Sequence, residues 1–258
     1  MTEVLKIVVI GGIAAGMSVA AKARREDPTA EITVIEKENY ISFGACGLPY
    51  YLGDQFTDAN FMFARTPAQI EASGINLLLE TEATAIDFEA QIVHLKNHNS
   101  NSITTIDYDR LMIATGAMPN RLPFDGMNAE NVYLHTRLKD ADALKSNLHQ
   151  YDSIAIIGGG FIGIEVADQL ALLGKKVTIF QSGEQIMQGP FDPEFAELMS
   201  EALHAENVDI RLQQNVSGFE VTNNKVTGIV TAEGNFPVDA VVVAIGFTPN
   251  TAFMTDPK

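Results

Sequence analysis

Positive charge is scarce in this sequence. Against 33 aspartates and glutamates it sets 17 lysines and arginines, for a formal net charge of −16. A surface this acidic repels phosphate backbones and anionic lipid headgroups, so neither nucleic acid nor membrane is an expected partner. Cysteine is almost absent. Cys46 stands alone, which excludes any disulfide within the chain and leaves two readings for that residue, a small buried hydrophobe or a reactive thiol. No apolar run reaches the roughly 18 residues of a membrane span, and residues 1–6 contain no signal-peptide core, so the expected location is the cytoplasm. Low-complexity segments are missing. The histidines do not cluster: His94 and His98 fall in a strand-to-turn segment, and His135, His149 and His204 are isolated, so no metal site is expected.

What the sequence does have is short apolar runs punctuated by glycine. With 258 residues, 46% of them hydrophobic, it has material for about two domains with real cores. Residues 5–10 read as a strand, 17–26 as an Ala-rich helix stopped by Asp27-Pro28, and 31–36 as a second strand. The same plan recurs with a strand at 153–157, a helix at 164–173 closed by Gly174, and a strand at 177–180. Between the two copies, residues 75–79, 83–87, 92–95 and 103–106 read as short strands of an antiparallel meander inserted in the first domain. Strands running into glycine turns end at Ala114-Thr115-Gly116 and at Ala244-Ile245-Gly246, and Pro119, Pro123 and Gly126 mark a linker. The expected fold is α/β, with two Rossmann-like three-layer domains. The first spans 1–118 and is completed by 247–258; the second spans 119–246.

Each strand-to-helix junction carries a glycine turn of the kind that cradles a dinucleotide pyrophosphate at a helix N-terminus. The second, Gly158-x-Gly160-Phe161-Ile162-Gly163, fits the pattern fully. The acid expected at the end of the following strand is replaced by Gln181, and no Lys or Arg gathers there to meet a 2′-phosphate, which leans the reading towards NADH over NADPH. The first, Gly11-Gly12-Ile13-Ala14-Ala15-Gly16, has Ile13 in the middle glycine slot. Its context supports a nucleotide site, because Glu36 (followed by Lys37) ends the second strand at the right distance.

Just after Glu36 comes a loop, Ser42-Phe43-Gly44-Ala45-Cys46-Gly47-Leu48-Pro49-Tyr50. Its glycines and proline argue against a buried periodic face, and a helix start after Cys46 would favour the thiolate, so the reactive reading is preferred. This loop resembles the active-site loop of coenzyme A-disulfide reductases, in the single-cysteine branch of the pyridine nucleotide-disulfide oxidoreductases that also contains NADH oxidases and peroxidases. The glycine turns, Ala114-Thr115-Gly116 and Ala244-Ile245-Gly246-x-x-Pro249-Asn250 resemble the marks of the wider superfamily.

The resemblance implies FAD at residues 11–16, Glu36, Lys37, Thr115 and Gly116. It implies NADH or NADPH at Gly158, Gly160, Phe161, Ile162, Gly163, Glu165, Gln181 and Gly246, with Phe161 gating the nicotinamide pocket. Cys46 would be the redox-active residue, cycling through a mixed disulfide with coenzyme A, and Lys22, Arg25, Ser42 and Phe43 would contact a small disulfide or thiol substrate. Read without the family, Phe161 is a packing residue and Glu165 and the cluster Lys22, Arg24 and Arg25 are solvated helix charges. Ala14 stands where peroxidases and many oxidases carry a histidine, which favours the disulfide-reductase type. The family continues beyond the counterpart of Lys258 with a second FAD motif and a dimerisation domain. A homodimer is therefore implied for the full-length family but not for this chain, and catalysis by this chain alone is not implied. Two alternatives stay open: a water-forming NADH oxidase working through a Cys46 sulfenic acid, and a non-catalytic nucleotide-binding or redox-sensing module.

Overall fold

The structure, a computed structural model, describes residues 4–254. It divides into two units. The first holds residues up to Gly44, Asn60–Met118 and the stretch from Pro249, and the second holds Ala45–Ala59 and Pro119–Thr248. The chain passes between them on either side of Ala45–Ala59 and again within two short strands, β8 (Ala117–Pro119) and β17 (Phe247–Pro249). The expected boundaries cut the chain near 118 and 247. The segment 45–59, which carries the short helix α2 (Leu48–Leu52), also belongs with the second unit, a placement that no linear pattern signals.

In the first unit, β1 (Lys6–Ile10), α1 (Ala14–Glu26) and β2 (Glu31–Ile35) form the expected strand–helix–strand plan. Their β-branched runs are buried on both faces, as parallel strands require: Val9, Ile32 and Val34 are fully enclosed. Helix α1 ends where Asp27 accepts from the Thr29 N–H and hydroxyl, at 2.8 and 2.7 Å, turning the chain into β2. The sheet has the order β3-β2-β1-β7, all parallel, with β3 at Ile75–Leu78 and β7 at Arg110–Ile113.

The position of β3 corrects the expected four-stranded meander. Ile75 pairs with Ile32, so this strand extends the parallel sheet, entered through the helix α3 (Pro67–Glu71). Its run Ile-Asn-Leu-Leu lacks the apolar–polar alternation of a meander strand. The meander is three strands, β4 (Thr81–Asp87), β5 (Ile92–Asn97) and β6 (Ile103–Asp107), in antiparallel order.

The second unit repeats this plan at larger scale. Its parallel sheet has the order β12-β11-β10-β16-β9, with β9 at Val132–Tyr133, β10 at Ser153–Ile157, β11 at Lys176–Phe180, β12 at Asp209–Arg211 and β16 at Ala240–Val243. Helices α4 (Leu138–Asn147), α5 (Phe161–Leu172) and α6 (Pro193–Ala205) belong to it. It also carries its own three-stranded meander, β13 (Gly218–Thr222), β14 (Lys225–Thr231) and β15 (Gly234–Pro237). Sequence reading did not include this meander. Its signal was present: Asn223 and Asn224, both at positive φ (51° and 61°), make the two-residue hairpin turn that asparagine favours.

Helix α2 is fixed in this unit by packing and by charge. Leu52 is fully buried in a core with Leu144, Leu148 and Leu170. The Tyr51 hydroxyl donates to Asp142 at 2.9 Å, and the Lys145 ammonium pairs with Asp54 at 2.6 Å while lying 4.4 Å from the centre of the Tyr51 ring.

His135 lies in the same unit, 1% exposed and at φ 46°. Neither ring nitrogen completes a hydrogen bond. Burial pushes the imidazole down to about 4, with Asp140 and the nearby Leu48 backbone opposing the shift. The ordinary value is 6.5, so between these two values the unfolded chain binds a proton that the folded chain refuses, and stability falls as the pH drops through that window. Urea unfolding at pH 7 and pH 4.5 should therefore show the wild type losing about 2–3 kcal/mol more than a His135→Asn variant, which tolerates the positive φ and cannot ionise. Equal losses would disprove the assignment.

Candidate functional site

The first glycine turn is shaped by backbone approaching backbone. Gly11 (φ 105°) donates its N–H to the Ile35 carbonyl at 2.8 Å, and a Cβ on Gly11 would stand 2.1 Å from the Ala114 carbonyl oxygen. A Cβ on Gly16 would stand 1.8 Å from the Gly11 carbonyl oxygen, so helix and strand meet here only because neither glycine has a side chain. Ile13 in the middle slot is the N-cap of α1, and Ala14 and Ala15 leave the first helical turn small and exposed. No side chain caps this helix and no acid stands in its first turn, so its N–H groups are left for an anion.

Glu36 is buried and holds the turn closed. One of its oxygens accepts from Gly12 N–H at 2.7 Å and the other from Glu38 N–H at 2.9 Å. Beside it opens a cleft of about 490 Å³ lined by Gly11, Glu36, Lys37, Thr81, Thr115 and Asn250, among others. The Thr115 hydroxyl donates to the Asn250 carbonyl at 2.7 Å, and Asn250 N–H donates to Gly116 O at 3.0 Å, which ties the second crossing turn to the first. Thr81, Ala83, Asn250 and Phe253 line the cleft without having been singled out as site residues. For Asn250 the Pro249-Asn250 pair was a usable signal; for Thr81 and Ala83, at the start of the meander, there was none.

The second turn repeats the geometry. Gly158 (φ 106°) would place a Cβ 2.4 Å from the Ala244 carbonyl oxygen, and Gly163 would place one 2.0 Å from Gly158 O. A Cβ on Gly160, the N-cap of α5, would meet nothing within 4 Å, leaving open backbone where a pyrophosphate needs it. This helix too has no side-chain cap and no acid in its first turn. Gln181 accepts from Gly159 N–H at 3.0 Å.

Gly160, Phe161, Ile162 and Gly246 line a cleft of about 580 Å³ together with Leu134, Thr136 and Phe247. Phe161 is 57% exposed and stacks edge-on against Phe191, 6.1 Å between ring centres. An aromatic ring left this exposed is not serving the core. Glu165, one turn further along α5, is half-buried, and that burial raises its carboxyl above the ordinary range.

Cys46 is exposed, in a single 3-10 turn (Ala45–Gly47) that leads into α2. The helix start expected after it is present, but α2 has only five residues and hence a small dipole. Leu48 and Pro49 are buried, so the turn is held from its C-terminal side. Ser42 and Phe43 lie in the other unit, where Ser42 N–H donates to Gly12 O at 2.9 Å. Phe43 is buried against Tyr40 and Phe63, 5.1 and 5.3 Å away, which makes it a packing residue of that loop. On α1, Lys22 is paired with Glu26, Arg24 donates to the carbonyls of Pro28 and Gly74, and Arg25 is exposed. Among the described residues no His, Cys, Asp and Glu gather in a metal-binding group, and no helix is long and apolar enough to cross a membrane.

Both turns leave open backbone of the kind a dinucleotide pyrophosphate needs, and comparison with known proteins gives the family. The profile of the pyridine nucleotide-disulphide oxidoreductase family matches residues 5–257. The chain is 32% identical to an NAD(P)H coenzyme A polysulfide/persulfide reductase of Pyrococcus horikoshii, over 95% of this chain and 54% of that protein. It is 30% identical to an NADH oxidase of Enterococcus faecalis, over 98% of this chain and 57% of that one. In structure it superposes on an NAD-dependent persulfide reductase from A. fulgidus with a TM-score of 0.92 at 34% identity, covering 96% of this chain and 46% of that one. The chain thus spans about half the length of the proteins it matches. From Gly11 to Asn250, and across nearly its whole length, it belongs to the pyridine nucleotide-disulphide oxidoreductase family.

Proposed function

We propose that this chain is the dinucleotide-binding portion of a flavin-dependent oxidoreductase that carries electrons from NAD(P)H to Cys46 and on to coenzyme A disulfide or a related small disulfide or persulfide. The observation that carries the reading is a pair of dinucleotide turns in a chain whose one cysteine stands exposed at the head of a buried, anchored helix. FAD would supply the two-electron exchange between a hydride donor and a thiol that no side chain provides. The residues to hold it are residues 11–16, Glu36, Lys37, Thr115 and Gly116, with the uncapped N–H groups of α1 facing its phosphates. NAD(P)H falls to Gly158, Gly160, Phe161, Ile162, Gly163, Glu165, Gln181 and Gly246, with Phe161 moving aside for the nicotinamide.

At Cys46 the thiolate attacks one sulfur of the substrate disulfide. A new S–S bond forms, the old one breaks, and one thiolate leaves and takes up a proton. The mixed disulfide then takes two electrons, originating from NAD(P)H, and a second proton, releasing the other thiol and restoring Cys46. Lys22 and Arg25 are the cations offered to the substrate's phosphates on an otherwise acidic chain. A homodimer and a cytoplasmic location go with this reading of the whole protein.

The NADH oxidase relative, similar over 98% of this chain, favours a second reading in which oxygen is the acceptor and Cys46 passes through a sulfenic acid. The two separate cleanly. With FAD supplied, anaerobic NADH should bleach the visible flavin spectrum, and coenzyme A disulfide should then be converted to free thiol. Cys46→Ser should abolish thiol release while leaving the bleaching intact. Equal thiol release by wild type and variant would refute the disulfide reading, and oxygen consumption matched to NADH without any disulfide would replace it with the second.

Glu165 gives a further check. Its protonated form is favoured in the folded chain, so the wild type loses stability as the pH rises through the carboxylate range. Glu165→Gln should melt higher than wild type at pH 8, with the difference shrinking towards pH 4, and should bind NADH more weakly if the carboxylate faces the nicotinamide. A variant that is no more stable at pH 8 would show that burial does not penalise this carboxylate.

A further inference from the structure

The two units repeat one plan, and at one matched position their chemistry differs. The residue following β2 is Glu36, and the residue following β11 is Gln181. Each side chain accepts a hydrogen bond from the second glycine of its own turn, Gly12 N–H to Glu36 Oε2 at 2.7 Å and Gly159 N–H to Gln181 Oε1 at 3.0 Å. A Rossmann site sets this residue against the adenosine ribose.

The two side chains offer opposite things there. Glu36 presents two carboxylate oxygens, which accept from ribose hydroxyls and repel a 2′-phosphate. Gln181 is neutral, and its orientation follows from the hydrogen bond it makes. A backbone N–H can face only the amide oxygen, so Nε2 is turned the other way. That nitrogen lies beside Gly183, where a Cβ would stand 3.0 Å from it and 1.6 Å from Gln188 Oε1, so its neighbour on this side is another neutral amide. A ribose 2′-hydroxyl meeting Nε2 can only accept. A 2′-phosphate meeting it finds two donors and no like charge.

The surroundings add little charge of either sign. Gln213 N–H donates to Gly183 O and Gln214 N–H to Gln181 O, both at 2.9 Å, and Gln188 reaches over Gly183, so amides dominate the rim. Arg211 on the neighbouring strand is already engaged, with Nε on Asp209 at 2.8 Å and its guanidinium 4.4 Å from the centre of the Phe236 ring. Glu184, exposed in the same loop, is the charge that opposes a phosphate.

We infer that Gln181 makes the second dinucleotide site nearly indifferent between NADH and NADPH, by replacing the carboxylate that excludes a 2′-phosphate with an amide whose N–H groups can bind it. This rests on the proposed reading of the Gly158 turn as the NAD(P)H site, and it revises the lean towards NADH that the missing cations suggest.

Isothermal titration of the full chain with NADH and with NADPH tests it without requiring turnover. The two dissociation constants should lie within about tenfold of each other, less than 1.4 kcal/mol apart. Gln181→Glu keeps an acceptor for Gly159 N–H, as Glu36 does for Gly12, so the turn should stay folded. It should weaken NADPH relative to NADH by about tenfold or more. A wild-type ratio beyond about tenfold, or a Gln181→Glu variant with an unchanged ratio, overturns the inference while leaving the site reading intact. Binding of neither dinucleotide overturns both.

Discussion

Two carbonyl oxygens, those of Ala114 and Ala244, set the terms for the rest of this molecule. Each directly follows a strand that runs beside the strand leading into a glycine turn, and each crowds the place where the Cβ of a turn glycine would be, 2.1 Å from the ideal position at Gly11 and 2.4 Å at Gly158. The turn must therefore be glycine, at a φ near +105° in both copies, and that conformation directs the chain straight from strand into helix. The same bend presents the helix's first N–H groups at the end of the sheet, uncapped, with Gly16 and Gly163 letting the helix pack down on the turn's own carbonyl. Helix entry and the uncapped helix start follow from one steric requirement met twice.

The repetition explains which features could be read along the chain. The strand–turn–helix units declare themselves locally: KIVVI and SIAII are strands by composition, the glycines lie at fixed spacing, and Asp27-Pro28 and Gly174 stop the helices. Their starts were off by a few residues because α1 and α5 begin inside the turns, at Ala14 and Phe161, where the glycine pattern was taken as turn up to its last glycine. What could not be read was partnership between segments. Ile75–Leu78 is too short for its missing alternation to assign it, and its pairing with β2 places it in the parallel sheet. Nothing in the sequence around Leu52 says that it closes a core with Leu144 and Leu170, far along the chain.

The candidate sites divide along the same line. Glu36 and Gln181 could be placed from their distance to a glycine turn, because a Rossmann unit fixes that distance. Thr81, Ala83 and Phe253 could not, since they reach the first cleft through the meander and through the chain's return after β17. His135 looked uninformative as an isolated histidine, and its burial without a hydrogen-bond partner is a purely tertiary fact. Phe43, grouped by the sequence with Cys46, belongs to an aromatic cluster in the other unit. Adjacency along the chain did not mean shared packing.

A duplicated plan also allows one half of the molecule to be read against the other. The steric positions were kept in both copies because no side chain can replace hydrogen at Gly11 or Gly158 without displacing the neighbouring strand. The position after the second strand is under a looser constraint. It needs only an oxygen to receive the turn's N–H, and a carboxylate and a carboxamide both supply one, at 2.7 and 3.0 Å. Receiving the turn's N–H does not by itself choose between them, although at Glu36 the second oxygen also accepts from Glu38 N–H at 2.9 Å. Where a fold accepts two residues equally and a bound nucleotide would not, the identity of the residue carries information about the nucleotide. Glu36 and Gln181 allow that comparison between two turns that share their first, second and last glycines.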